Sequence, residues 1–271
     1  MARDALAAPS PGAKEAPAIR VTGLCRSFGP KVVLNGLDLV VGKGDSVVVV
    51  GKSGIGKSVL LKHVIGLLRP DAGTVEIDGQ DLWSLPAPRR DELRRKFGMS
   101  FQEGALFDSM SVGENVGFPL RRHTKMTAKA IRDRVAECLD LVELPGIEAK
   151  RPSELSGGMR RRVGFARAIA LKPEILLFDE PTTGLDPVTT DALVRVILGL
   201  RRTLSPTVVT ITHEMKVAFS IADRVALLDG GRLRVELPAG EFEASTDPHV
   251  AAFVKGDSLL DEAAGVPEGP R

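Results

Sequence analysis

Cysteine is nearly absent from this chain: Cys25 and Cys138 are its two thiols in 271 residues. They stand far apart and form neither a C-x-x-C pair nor a metal-ligand spacing, which excludes dithiol and zinc motifs and points to a reduced, cytosolic setting with inert thiols. Excess charge is missing as well. With 37 basic and 35 acidic residues the formal net charge is +2, so bulk electrostatics make no case for a nucleic-acid partner, and any polyanion must be met locally. Long apolar runs are also lacking: none approaches the ~18 uninterrupted residues of a membrane span, and the N-terminus has no basic-then-apolar order of a signal peptide. The expectation is a chain that, where it works at a membrane, is held there by another subunit.

A composition of 43% hydrophobic and 27% charged residues fits one soluble globular domain with a sizeable core, open to division into lobes. Residues 1–18 are rich in Ala, Pro and Gly without apolar periodicity and read as a flexible tail. From Ile19 to Val41 short β-prone stretches, Lys31 to Leu34 and Leu37 to Val41 among them, alternate with turns, the pattern of an antiparallel β region. Ser46 to Val50 is a β-branched run that stops at a glycine-rich loop, and Ser58 to Leu68 continues with helical spacing. That order of strand, loop and helix opens a parallel α/β core, and Ile175 to Phe178 and Thr207 to Ile211 read as further buried strands separated by a helix over Asp191 to Leu200. Between them lies a mostly helical insertion, about 88–152, in which Ser111 and Glu114 form a capping box and Ile131, Val135, Leu139 and Val142 follow helical spacing. A last short helix starts at Asp247-Pro248, stops at Gly256 and presents Val250 and Phe253, and 257–271 form a second tail.

Three segments carry chemistry. Gly51-Lys52-Ser53-Gly54-Ile55-Gly56-Lys57-Ser58 matches the phosphate-loop pattern in full, after a strand and before a helix. Glycines let backbone N–H groups close around phosphate oxygens while the following helix directs its positive end at them. Lys57 is placed to reach the β- and γ-phosphates, and the Ser58 hydroxyl to reach Mg²⁺. Ile175 to Glu180, ILLFDE, is an apolar strand ending in two carboxylates, where a parallel sheet binds ligands. Asp179 is placed to hold Mg²⁺ through water, and Glu180 to polarise the water that attacks the γ-phosphate; taken alone, an acidic pair after a strand also describes an ordinary surface feature. Leu155 to Met159, LSGGM, opens a basic helical stretch with Arg160, Arg161, Arg162 and Arg167. Ser156 is a good N-cap, and Gly157 and Gly158 leave room for close backbone approach, a second anion site of the helix-end type. The same pattern alone also fits a simple capped helix with a solvated basic face.

These landmarks together resemble the ATP-binding cassette ATPases, and the resemblance covers about Ile19 to Gly256. It implies an α/β fold with a parallel-sheet core, an antiparallel β subdomain and an inserted α-helical subdomain, with ATP and Mg²⁺ as cofactors and ADP and phosphate as products. The family pattern gives Gln102 a role in sensing Mg²⁺ and water, Asp186 of Gly184-Leu185-Asp186 a role across a dimer, and His213 a contact to the γ-phosphate. Phe28 falls where the family stacks an aromatic on adenine. For His213 a structural role, and for Phe28 a core position, are the alternatives that residue type alone leaves open. In the family two cassettes associate head to tail, and the LSGG segment of one caps ATP held by the other, so a second copy of the chain is an implied partner. Two departures are visible: Met159 replaces the commoner Gln, and Val59 follows Ser58 where Thr is usual.

Phe101 to Thr124, FQEGALFDSMSVGENVGFPLRRHT, and Thr212 to Leu228, THEMKVAFSIADRVALL, are similar in detail to the ATPases of the Mla and Mce lipid-transport systems. The resemblance implies an MlaE-like membrane permease, an MCE-domain lipid-binding subunit and a small STAS-domain protein as partners. It also implies a peripheral place on the cytoplasmic face of the inner membrane, and phospholipid trafficking that maintains outer-membrane asymmetry. Ala105, Leu106, Phe107 and Met110 either form a groove for a permease helix or belong to the lobe core. The actinobacterial Mce and plastid versions are near alternatives, and the ATPase of another ABC importer or exporter is a further one. Soluble cassettes of DNA repair or translation carry long coiled coils, zinc cysteines or tandem cassettes, none of which is in this sequence. A nucleotide-binding regulator without turnover would more naturally lack Glu180 or His213, and both are present.

Overall fold

The computed structural model describes residues 16–101 and 104–255, so most of both expected tails, the helix stop at Gly256 and the side chain of Gln102 lie outside the described residues. The strands are β1 (Ile19–Phe28), β2 (Lys31–Val41), β3 (Ser46–Val50), β4 (Ala72–Ile77), β5 (Gln80–Asp81), β6 (Phe97–Ser100), β7 (Ile175–Asp179), β8 (Thr207–Thr212), β9 (Arg224–Asp229) and β10 (Arg232–Pro238). The helices are α1 (Lys57–Val64), α2 (Ala87–Arg94), α3 (Val112–His123), α4 (Ala128–Leu141), α5 (Gly157–Ile169), α6 (Pro187–Leu204), α7 (Met215–Ile221), α8 (Ala239–Glu243) and α9 (Pro248–Lys255). Six strands form one sheet in the order β10-β9-β3-β8-β7-β6, parallel throughout except for β10. A second, antiparallel sheet runs β2-β1-β4-β5.

Consecutive valines explain how the two layers are joined. In β3 every residue is buried, because Val47 and Val49 pack with β1, β2 and α1 while Val48 and Val50 pack with the helices on the other face. Strand β7 divides in the same way, Ile175 and Leu177 toward the antiparallel sheet and Leu176 and Phe178 toward the helices. Successive side chains point to opposite faces of a strand, so a sheet covered on both sides needs an unbroken apolar run. Each such side chain contributes roughly 1.5–3 kcal/mol by burial. Helix α1 lies in the same core as the antiparallel sheet, anchored by Leu60, Leu61 and Val64.

The expected helical insertion is interrupted. Strand β6 sits inside the span 88–152 yet pairs in parallel with β7, Phe97 opposite Ile175, so it belongs to the core sheet. Its sequence, FGMS, has no β-branched residue; Gly98 is there because a Cβ would run into the Ala168 carbonyl of α5. Two hairpins are also additional to the sequence reading. Asp78 and Gly79 turn at φ 49° and 75°, and Gly230 and Gly231 at 56° and 77°, the left-handed pairs that a two-residue hairpin needs.

Helix α3 carries the expected capping box: Ser111 Oγ accepts from Glu114 N at 3.2 Å, and Glu114 Oε2 accepts from Ser111 N at 2.7 Å. On α4, Val135 and Leu139 are buried, with Val142 just beyond, and the buried Arg134 donates to the Ile169 and Ala170 carbonyls at the end of α5. Asn115 of α3 organises the preceding loop. Its Oδ1 accepts from Phe107 N at 2.8 Å and its amide N–H groups face the carbonyls of Phe107, Met110 and Ser111. Asn115→Ala strips those part-buried backbone groups of partners, and is expected to lower stability by roughly 1–3 kcal/mol. Urea unfolding checks this as a lower midpoint at an unchanged slope.

Candidate active site

The phosphate loop leaves β3 and enters α1 through a bend that only glycine supplies at Gly56, where φ is 117° and a Cβ would lie 2.8 Å from a Val33 methyl. Lys57 opens α1 and is 5% exposed. Its Nζ donates to the carbonyls of Gly51 at 2.7 Å and Lys52 at 3.1 Å, and stands 3.3 Å from Glu180 Oε1. The loop's own backbone thus aims the ammonium. Beside it, Ser58 Oγ donates to Asp179 Oδ1 at 3.1 Å. Burial raises the Asp179 carboxyl above its ordinary value, an effect the Ser58 hydrogen bond offsets in part.

Glu180 follows β7 in the left-handed region, φ 48°, an unusual setting for a side chain of its size, and its N–H donates to Ile211 O of β8 at 2.9 Å. The turn throws the carboxylate across the mouth of the phosphate loop. There Oε1 meets Lys57, while Oε2 accepts from Thr183 Oγ1 at 2.9 Å and lies 2.9 Å from His213 Nδ1. His213 comes from the end of β8, whose Thr212 is opposite Val50 of β3.

One cavity of about 390 Å³ collects Phe28, Ser53, Gly54, Gly56, Lys57, Ser58, Val59, Glu180 and His213. Phe28 is 45% exposed and lines that cavity, so the core alternative for it does not hold. Lys31, Val33 and Thr183 line it too and were not foreseen; nothing in their residue types marks them, because a neighbouring strand and a turn bring them in. Ile55 packs partly into the core beside the loop, and the Val59 carbonyl faces His63 Nδ1 at 2.8 Å. Ser156 is the N-cap of α5, accepting from Met159 N at 3.2 Å, with Gly157 and Gly158 in the first turn. Asp186 is the N-cap of α6, accepting from Thr189 N at 3.0 Å and Thr189 Oγ1 at 2.6 Å, bonds that hold its carboxyl below the usual range. These two helix ends meet: a Cβ on Gly158 would strike the Thr189 methyl. Neither Ser156 nor Asp186 lines the cavity of the phosphate loop.

A model of the ABC transporter family matches residues 34–183. The chain belongs to the ABC transporter ATP-binding family. It is similar to the intermembrane phospholipid transport ATP-binding protein MlaF of Haemophilus influenzae, 40% identical over 89% of this chain and 91% of that protein. MlaF of Escherichia coli is 38% identical over 84% and 85%. The probable ribonucleotide transport ATP-binding protein mkl of Mycobacterium leprae is 44% identical over 88% of this chain and 69% of that protein. Among solved structures, the dimeric ATP-binding cassette MJ0796 in a post-hydrolysis state with ADP and Pi superposes at a TM-score of 0.74, with 31% identity over 82% of this chain and 98% of that one. This ABC ATPase therefore binds ATP and couples its hydrolysis to transport.

Two substitutions test the site. Glu180→Gln is expected to retain ATP binding and to lose steady-state hydrolysis by about two orders of magnitude or more; turnover within a few-fold of the parent would rule out Glu180 as the base. Asp179 gives a pH-dependent expectation. Its raised folded pKa means that the ionised carboxylate opposes folding at neutral pH, and that the opposition fades as pH falls through that value. Nucleotide-free Asp179→Asn should accordingly melt above the parent at pH 7.5, with the gap closing in acid, while Mg²⁺-dependent hydrolysis is lost; a lower melting temperature at pH 7.5 contradicts it.

Proposed function

We propose that this chain is the MlaF-like motor of a phospholipid transporter, hydrolysing MgATP with Glu180 as the general base. The observation that carries the chemistry is the Lys57–Glu180–His213 arrangement at the phosphate loop. A γ-phosphate entering between Lys57 and Glu180 takes the ammonium for its own charge and leaves Glu180 free to accept a proton from water. His213 then holds one carboxylate oxygen and borders the γ-phosphate, and Phe28 offers an exposed face to adenine.

The metal donors fit this reading. Among the described residues no three His, Cys, Asp or Glu side chains gather into a cage. Ser58 and Asp179 instead present a hydroxyl and a carboxylate side by side, the small oxygen set that suits a Mg²⁺ ion carried largely by substrate phosphates and water. That ion would neutralise phosphate charge. Gln102 is assigned to the same group on its place in the family pattern. Ser156, Gly157, Gly158 and Asp186 stand off the chain's own cavity, and we assign them to ATP held by a second copy in a head-to-tail dimer; the dimeric cassettes of similar fold support the pairing of two copies.

Cargo rests on a different surface. Phe107 and Phe118 are 43% and 37% exposed with ring centroids 5.0 Å apart, whereas Leu106 packs partly against the helical core. Of the groove candidates, Ala105 and Phe107 are exposed, and Phe107 pairs with Phe118, which was not among them, to form an outward aromatic surface within the segment that resembles the Mla and Mce ATPases. We assign it to a membrane permease of the MlaE type. An MCE subunit and a STAS-domain protein complete the assembly, which places the chain on the cytoplasmic face of the inner membrane. Among the described residues no helix is long and apolar enough to cross a membrane. Phe107→Glu would bury an unpaired ion at that contact, and is expected to abolish co-purification of the permease while ATP binding by the isolated chain stays within about two-fold. Lipid mass spectrometry of the tagged parent complex is expected to find phospholipid. Recovery with a ribonucleotide, sugar or amino-acid permease and no lipid overturns the cargo assignment alone.

A further inference from the structure

Helix α5 is clamped at two places that the ATP chemistry does not use. Arg167 donates to the carbonyls of Gly104 at 2.8 Å and Ala105 at 2.9 Å, and its guanidinium lies 5.8 Å from the centre of the Phe107 ring. The loop it holds is strained and close. Gly104 and Ala105 have φ of 77° and 45°. A Cβ on Gly104 would come within 2.8 Å of the Arg160 carbonyl, and one on Gly164 within 3.0 Å of the Gly104 Cα, so loop backbone lies directly on helix backbone. At the other end Arg161, 8% exposed, donates to Pro181 O at 2.9 Å and to Thr183 O. Thr183 in turn donates to Glu180. The two arginines are six positions apart, about 9 Å along the axis and roughly 120° around it, so α5 stands between the two loops as a spacer.

We propose that Arg167 is a positioning residue for coupling: it locks the Phe107 loop to α5, and α5 through Arg161 sets the Pro181–Thr183 turn that holds Glu180. Displacement of Phe107 by a docked partner is transmitted along one rigid helix, because each clamp is a planar guanidinium fixed on two carbonyls, a geometry that a lysine cannot reproduce. The inference rests on reading Phe107 as the partner-facing residue.

The test pairs Arg167→Gln with Arg167→Lys, which keeps the charge but loses the fork, so that a folded variant is available. In the isolated chain both are expected to bind ATP within about two-fold of the parent. Amide hydrogen exchange with a non-hydrolysable ATP analogue should rise about three-fold or more in 104–110 and also in 180–185, more for Gln than for Lys. A rise confined to 104–110 overturns the link through α5. In the complex purified from membranes with its native partner, co-purification should persist while partner-dependent stimulation of ATPase falls about ten-fold for Gln and less for Lys. Unchanged stimulation in Arg167→Gln overturns the proposal. Absence of stimulation in the parent complex instead counts against the permease reading, and the exchange measurement then decides the proposal alone.

Discussion

Parallel pairing of β3, β8 and β7 is the constraint on which the site depends. Because Val50 lies opposite Thr212, and Asp179 opposite Ile211, three chain exits fall at one edge of the sheet. The glycine loop leaves one strand, the carboxylate pair a second and His213 the third. The three segments are far apart in sequence. Register alone brings them within hydrogen-bond distance, and a slip of one residue in any of the three would turn the relevant side chain to the opposite face.

That edge is built at some cost to the fold. Lys57 and Glu180 are 5% and 13% exposed, and removing two ions from water is unfavourable unless further hydrogen bonds complete the pair. Two loop carbonyls do so for the ammonium, and Thr183 and His213 for the carboxylate. Asp179 carries an uncompensated part of the same burden, its carboxyl raised by burial. The left-handed backbone at Glu180 adds strain of the order of 1–3 kcal/mol. The two valine-rich faces of the sheet supply the stability against which these costs are set, which is why the chemistry sits at the end of the most completely buried strands.

Much of this was readable from residue order. The run Ser46 to Val50, the glycines of the phosphate loop, the N-caps Ser111 and Ser156 and the capped helices behind them are local signals, and local signals survive in one dimension. Strand β6 escaped because FGMS has neither alternation nor β-branching and is held in the sheet by its neighbours. Both hairpins, by contrast, did announce themselves through Asp78-Gly79 and Gly230-Gly231, a cue that the apolar pattern overshadowed. Thr183, Lys31 and Val33 reach the site only through tertiary placement. The two thiols are a simpler case for Cys138, whose pKa burial pushes up to about 11, as an inert core thiol requires.

Chemistry and cargo are written on different parts of this molecule. A fold or a nucleotide site shared across a family says nothing about what is moved. Discrimination has to come from a surface outside that site, and the Phe107–Phe118 pair is exposed, set on a loop whose shape depends on Asn115 from below and Arg167 from the side. The polar fixtures are directed at backbone atoms, so they hold the loop's path whatever side chains it displays. A partner can therefore change with the aromatic pair while the path, and its attachment to α5, stays the same. Helix α5 is thus held along its length: Ser156 caps its N-terminus, Arg161 near that end holds the Pro181–Thr183 turn, and Arg167 in its last turn holds the Gly104–Ala105 backbone.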